Sequence, residues 1–242
     1  MLTFLSFNIG NFRKEQVREL ANYLSPAHAD CIGLQEVDWA NDSHSLRTLQ
    51  QTLNLPYVAI GHSKNSDHHI VLLSRLPIVN PRSLESFTNA GLLASIDAPE
   101  YTVSIGVVHL ASHPEQARVR ELSTLLEAFQ DKMENTIIMG DFNAIAKNDP
   151  VVYTGELTES ILYDTTSFLA EAGFTDVGAT ATESFIPTVP VTSDGAVTYT
   201  NLRLDYFFLR APLSEQKITY KVYDSKDSAF PSDHCAIATT IY

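Results

Sequence analysis

The chain has 242 residues, 44% hydrophobic and 19% charged, with no low-complexity stretch; that balance excludes a disordered protein and leaves room for a sizeable core. Its formal net charge of -13 is the wrong sign for a protein held on duplex nucleic acid mainly by neutralising phosphates. The longest apolar runs, Ile70 to Leu73 and Ala90 to Ile96, fall far short of the roughly 20 residues that span a bilayer, so no stable membrane anchoring is expected.

Leu2 to Phe7 is an apolar run rich in β-formers, entered with no basic segment ahead of it, so a first strand and no leader peptide are expected. Val17, Leu20, Ala21 and Leu24 recur at helical spacing and predict a helix over Glu15 to Leu24, stopped by Pro26. Asp30 to Leu34 reads as the next strand, and Leu46, Leu49 and Leu53 mark a second helix closed by Asn54 and Pro56. Strand candidates then follow one another: Tyr57 to Ile60, His69 to Leu73, Ile78 to Phe87, Gly91 to Ile96 and Thr102 to Leu110. Pro, Asn and Gly part them, which suggests antiparallel pairing.

Pro114 sits where a helix would open, with Val119, Leu122, Leu125, Leu126 and Phe129 as its buried face. Thr136 to Met139 is a buried strand ending at Gly140, and Ile161 to Ala172 reads as a helix closed by Gly173. Asp176 to Thr200, rich in Thr, Ser, Pro and Gly, reads as a long functional loop. Leu204 to Leu209, Ile218 to Tyr223 and Cys235 to Ile241 are strands again. No repeat and no charge run divides the chain, so one domain over residues 1–242 is expected. Cys31 and Cys235 lie in apolar runs and read as buried thiols, which suits a reducing cytoplasm.

Short polar clusters recur where apolar strands end: Ser6-Phe7-Asn8, Gln35-Glu36, His109, Gly140-Asp141-Phe142-Asn143, Arg203-Leu204-Asp205-Tyr206 and Ser232-Asp233-His234. Strand ends are rigid platforms, and several converging at one rim build a site from residues remote in sequence. Acids, amides and histidines without a candidate thiolate suit a hard cation such as Mg²⁺ or Mn²⁺, and so an oxyanion substrate. Phosphoester hydrolysis needs charge neutralised on the phosphoryl oxygens, an aligned water and a proton acceptor or donor. Glu36 and Asn8 supply candidate metal ligands, Asp141 a group to orient or deprotonate water, and Asn143 a donor to the transition state. His234 paired with Asp205 would be held in place and easily protonated. Singly, each residue also has a bland role: Asn8 as a turn former, Glu36 as a solvated loop acid, Asp141 to Asn143 as an Asx turn. Likewise His109 reads as a core histidine and Asp205 as a buried partner of Arg203. Ser232, Asp233 and His234 are chain neighbours that point apart, which rules out a Ser-His-Asp triad among them.

The ordered set SFN, QEVD, VVHL, GDFNA, RLDYFFL and SDHC resembles the endonuclease/exonuclease/phosphatase superfamily, from Leu2 to the C-terminus but for Asn148 to Thr200. The resemblance implies an α/β fold, a four-layer α-β-β-α sandwich of two packed mixed sheets flanked by helices, with one or two Mg²⁺ ions at the strand ends. By it, Asn8 and Glu36 match the metal-binding pair, and Asp233 a second metal-side carboxylate. Asp141 and Asn143 match the residues that position the nucleophilic water and contact the phosphate. Asp205 and His234 match the family's Asp-His pair, and His109 a position at the scissile phosphate; His68 falls near a slot that is acidic in some nucleases. The stretches RLDYFFL and SDHC look closest to the apurinic endonuclease branch, whose Trp-Asn pair is Phe7-Asn8 here and whose flanking Gly and Pro are Pro231 and Ala236, so DNA repair is not implied. The expected activity is metal-dependent hydrolysis of a phosphoester by in-line attack of an activated water, on a nuclease-type phosphodiester or on a small-molecule or lipid phosphomonoester. The chain is expected to be a monomer, and a small or single-stranded substrate is favoured over duplex nucleic acid. A catalytically silent binding module that keeps the fold is the alternative.

Overall fold

A computed structural model of the chain describes residues 1–64, 67–99, 101–129, 133–154, 162–194, 197–223 and 231–242. Leu2–Asn8 forms β1, Val17–Leu24 α1, Cys31–Val37 β2 and Ser43–Leu53 α2. In α1 the buried residues are Val17, Leu20, Ala21 and Leu24, the set the spacing picks out. Asn54 ends α2 in the left-handed conformation (φ 55°), which a short polar side chain tolerates. Strands β3 (Tyr57–Gly61), β4 (His69–Ser74), β5 (Ile78–Ser83), β6 (Ala90–Asp97) and β7 (Thr102–His109) lead to α3 (Glu115–Phe129) and β8 (Thr136–Asp141). Then come β9 (Val152–Thr154), α4 (Asp164–Glu171), β10 (Phe174–Asp176), α5 (Val177–Thr180), β11 (Val189–Asp194), β12 (Val197–Leu202), β13 (Asp205–Arg210), β14 (Ile218–Tyr223) and β15 (Ala236–Ile241).

Two six-stranded sheets result, ordered β14-β15-β1-β2-β4-β3 and β10-β13-β8-β7-β6-β5. At the middle of each lies a parallel pair, β1/β2 and β7/β8, whose crossovers run through α1 and α3; every other pairing is antiparallel. Between the sheets pack Phe4, Ile70, Leu72, Ile105, Val107, Ile137, Met139, Phe207 and Ile237. Leu5, Phe7, Ile32, Leu34 and Val71 face outward onto Leu20, Leu24, Leu46 and Leu49 of α1 and α2. Val108, Ile138 and Phe208 likewise meet Leu122, Leu125 and Phe129 of α3 and Leu169 of α4. Both faces of the central strands are therefore covered, which is why they read as continuous apolar runs without alternation. The architecture is the expected four-layer sandwich of two mixed sheets between helices.

Four expectations need correction or limits. The predicted strand Ile78 to Phe87 ends at Ser83, after which Leu84 and Phe87 fold into the core beside α3. The core face of α3 is Glu115, Arg118, Glu121, Leu122, Leu125 and Phe129, while Val119 and Leu126 are only partly covered. Asp176 to Thr200 is not a loop: it holds α5 and the hairpin β11/β12, which pairs on with β9 as a small third sheet. Its β-branched Val and Thr residues favour the pleated conformation over a coil. Ile161, the expected start of the helix before Gly173, lies outside the described residues, as do the side chains of Tyr153 and Tyr199; the helix is described from Asp164.

Candidate active site

The carboxyl ends of β1, β2, β7 and β8 come to one rim, the place where parallel strands with helical crossovers leave a crevice. Asn8 ends β1 and His109 and Asp141 end β7 and β8, paired with each other in register. Asp205 opens the antiparallel β13 and pairs with Asp141 from the other side. His234 precedes β15, next to β1. Glu36 reaches the rim through a bulge: the β2/β4 register shifts between Leu34 and Val37, and Glu36 takes a left-handed backbone (φ 60°). A non-glycine residue held there is strained, and the strain aims its carboxylate into the crevice.

Asn8 Nδ2 donates to Glu36 Oε1 and to Asp141 Oδ2, both at 2.9 Å, while its Oδ1 accepts from Gly10 N at 3.0 Å. The amide thus brackets the two carboxylates with its nitrogen and turns its oxygen to the backbone. His109 Nε2 stands 3.7 Å from Glu36 Oε1 and 3.6 Å from Asp141 Oδ2. Its Nδ1 is buried with no hydrogen-bond partner among the described residues, so the ring's tautomer is set by what Nε2 meets. Asn143, also left-handed (φ 47°), donates its backbone N–H to Asp141 Oδ1 at 2.8 Å and one side-chain N–H to Leu110 O at 3.0 Å. The Asx turn read as the bland role is present, and it carries Asn143 to the site's edge.

His234 Nδ1 lies 2.8 Å from Asp205 Oδ2, and its Nε2 points toward Asp141 Oδ2 at 3.7 Å. Burial pushes the imidazole down, but Asp205 and Asp141 outweigh it and hold His234 up at about 10. Burial raises the Asp205 carboxyl in turn, and the His234 imidazolium opposes that rise. The pair therefore carries its proton on the ring at neutral pH, with Nδ1–H on Asp205 and Nε2–H facing the crevice.

Asp205 is not the partner of Arg203: that guanidinium forks onto Asp149 and Asp176 at 2.7 to 3.2 Å, below the site. Asp233 stands exposed at the mouth of the site, its side chain 61% exposed and its Oδ1 3.9 Å from His234 Nε2. His68 stands at the rim, Nδ1 3.7 Å from Glu36 Oε2. His69 meets His62 edge to face, and its Nδ1 accepts from Ser63 N. Two hydroxyls support the segments of the site: Thr188, which no motif marks and sequence reasoning missed, and Ser232 of the SDHC stretch, whose supporting role the motif does not reveal. Thr188 Oγ1 accepts from Leu204 N and Asp205 N, and Thr188 O from Cys235 N at 2.7 Å, tying the Asp205 and His234 segments together. Ser232 Oγ donates to Asn8 O at 2.7 Å and accepts from His234 N at 3.1 Å. The Thr188 contacts to Leu204 and Asp205 and the Ser232 contact to Asn8 reach backbone groups remote in sequence, so no local pattern announces them.

Glu36, His109 and Asp141 bring one donor atom each within 4.8 Å of one another, a potential metal-binding triad. Donors held about 2.1 Å from one small cation stand at most about 4.2 Å apart, and the 3.6 and 3.7 Å separations lie inside that limit. Two carboxylates tethered to a single amide nitrogen also present the like charge that a divalent cation would neutralise.

The model of the Endonuclease/Exonuclease/phosphatase family matches residues 5–234. No curated protein matches the chain in sequence. Among solved structures, an AP endonuclease from Archaeoglobus fulgidus superposes with a TM-score of 0.77 at 16% identity, covering 100% of this chain and 99% of that one. An endonuclease/exonuclease/phosphatase family protein from Leptotrichia buccalis gives 0.72 at 18% identity over 100% of both chains. D. rerio TDP2 complexed with single strand DNA product gives 0.67 at 16% identity, over 100% of this chain and 98% of that one. At such identities the likeness speaks for the fold.

Proposed function

Because this chain belongs to the endonuclease/exonuclease/phosphatase family, we propose that it hydrolyses a phosphoester with a divalent cation, by in-line attack of a water activated in the crevice. The observation that carries this reading is the meeting of two devices at Asp141: the Glu36–His109–Asp141 donor cluster and the Asp205–His234 pair. Mg²⁺ or Mn²⁺ suits the oxygen donors of Glu36 and Asp141, with Asp233 as a further carboxylate at the rim. Such an ion, when bound, neutralises charge on the phosphoryl oxygens and polarises the phosphorus centre.

The chain's own groups do the rest. Asn8 keeps the Glu36 and Asp141 carboxylates apart and pointed inward, through hydrogen bonds that do not depend on the cation. Asp141, with Oδ1 fixed by the Asn143 N–H, orients the attacking water through Oδ2 and takes its proton. Asn143 offers its second side-chain N–H to a phosphoryl oxygen; with the cation on the Glu36 and Asp141 oxygens, His109 Nε2 is left to face the phosphoryl group from the same side. His234, protonated and pinned by Asp205, donates from Nε2 to the pentavalent transition state, where negative charge peaks.

For the substrate we favour a phosphodiester of small or single-stranded form over a duplex. The net charge of -13 and the scarcity of Lys and Arg from Asn148 to Thr200 support this, as does a neighbouring fold described with a single-strand DNA product. The buried free thiols Cys31 and Cys235 suit a cytoplasmic setting. Among the described residues no helix is long and apolar enough to cross a membrane.

The test is a panel of single-stranded DNA, abasic duplex, RNA, inositol phosphates and sphingomyelin, assayed with Mg²⁺ or Mn²⁺ and with chelator. Metal-dependent release from at least one substrate is expected, falling about 10²- to 10⁴-fold in Asp141→Ala and His234→Ala with the fold intact. Binding without turnover, or turnover indifferent to both substitutions, would leave the silent module as the better description.

A further inference from the structure

The buried face of α3 carries charge beside its apolar Leu122, Leu125 and Phe129. Glu115, Arg118 and Glu121, three residues apart, are 5%, 9% and 4% exposed. Burying such groups is costly unless they are paired and hydrogen-bonded, and an apolar residue of similar volume is often as stable or more so. What the charges provide here is a grip on backbone. Glu121 Oε2 accepts from Ala111 N at 2.9 Å and Oε1 from Thr88 N at 2.6 Å. Arg118 Nη1 donates to Ala111 O and Ser112 O at 3.3 and 2.6 Å, and Nε to Thr165 Oγ1 at 3.2 Å. Glu115 Oε1 in turn accepts from Thr165 N at 3.0 Å, at the start of α4.

The gripped stretch, 110–112, begins directly after His109. Leu110 N donates to Asp141 O at 2.9 Å, and Leu110 O accepts from Asn143 Nδ2 at 3.0 Å and Asn89 Nδ2 at 2.7 Å. A single residue's backbone thus sets the side chain of Asn143 and the exit direction of His109, and the α3 charges hold the next residue along. We infer that Glu121, with Arg118, is a positioning residue: it anchors the 110–112 backbone so that His109 and Asn143 stay in register with Asp141, while touching neither substrate nor cation. The kinetic part of this inference rests on the proposed hydrolase activity; the positional part does not.

Glu121→Gln keeps the side chain's shape and one acceptor but sets an amide N–H against a backbone N–H, so one anchor is lost. Exposed Glu127→Gln, on the same helix, is the control. In Glu121→Gln, kcat on a phosphodiester should fall about 10- to 100-fold with KM changed less than about twofold, the range seen when outer supports of a site are removed. The His109 imidazole resonances should shift in ¹H–¹⁵N spectra while those of His28 and His44 hold. Should Glu121→Gln fail to fold, Arg118→Lys, which keeps the charge and loses the planar fork, is read in the same two ways. A folded variant with wild-type kcat, or with His109 resonances unmoved, overturns the inference. If the wild type turns over nothing yet His109 shifts in the variant, the hydrolase reading fails and the positioning role stands.

Discussion

Asp141 serves both halves of the site: one oxygen faces the Asn8 amide, His109 and His234, and the other is taken by the Asn143 N–H. The charge on Asp205 matters because it keeps the proton on His234. Asp205→Asn preserves the shape of that pair but removes the carboxylate, so kcat should fall about 10²-fold or more. The variant should also lose activity with rising pH at a point below the wild type, as a steady-state pH series from 5 to 9 would show. A second consequence concerns folding. His234 is held at about 10 against an ordinary 6.5, so in metal-free protein its contribution to stability is complete below 6.5 and drains away as pH rises toward about 10. Urea midpoints measured with chelator should therefore fall over that window more steeply in the wild type than in His234→Gln. Parallel slopes would show that the ring is not so held.

At the level of strands and helices, the site depends on how closely β7 and β8 approach. Gly140 sits just before Asp141 with φ 144°, and a Cβ placed there would lie 1.9 Å from Val108 O. Backbone cannot yield as a flexible side chain can, so Gly140→Ala must part the two strands that carry His109 and Asp141. The expected cost is about 3 kcal/mol or more, roughly a 10 °C drop in thermal midpoint for a chain of this size, with activity lost even below the transition. Calorimetry alongside the phosphodiesterase assay checks both; an undisturbed midpoint would mean the strands separate freely. Helix α3 adds a lesson in patterning. Its apolar residues mark the helix correctly, yet its inner face is partly ionic, because it serves the loop above it as well as the sheet beside it.

Across the full fold, the crevice straddles the seam between the two sheets. Asn8, Glu36 and His234 belong to the side of β1, β2 and β15, whereas His109, Asp141 and Asp205 belong to that of β7, β8 and β13. A cation shared by Glu36 and Asp141 would bridge the sheets and relieve the repulsion between their carboxylates. Adding Mg²⁺ or Mn²⁺ to about 100 times its dissociation constant should stabilise the fold by about 2.7 kcal/mol, a rise of roughly 5 to 10 °C in thermal midpoint. Chelator should reverse the rise, and Glu36→Gln should abolish most of it; equal shifts in wild type and variant would place the ion elsewhere.

Much of this was legible in the chain alone. The period of apolar residues located α1, α2 and most strands, because burial on one or two faces is a local pattern. Polar residues at the ends of apolar runs located Asn8, Glu36, Asp141, Asp205 and His234, because a strand end is where a buried run must meet solvent. Other features depend on partners remote in sequence. The change of sheet between β4 and β5, the hairpin in Asp176 to Thr200, the exposed position of Asp233 and the ionic face of α3 are decided by which strands neighbour which. So are the Thr188 contacts to Leu204 and Asp205 and the Ser232 contact to Asn8, which only packing brings together. Periodicity records whether a side chain is buried; register and inter-sheet packing decide what it meets there.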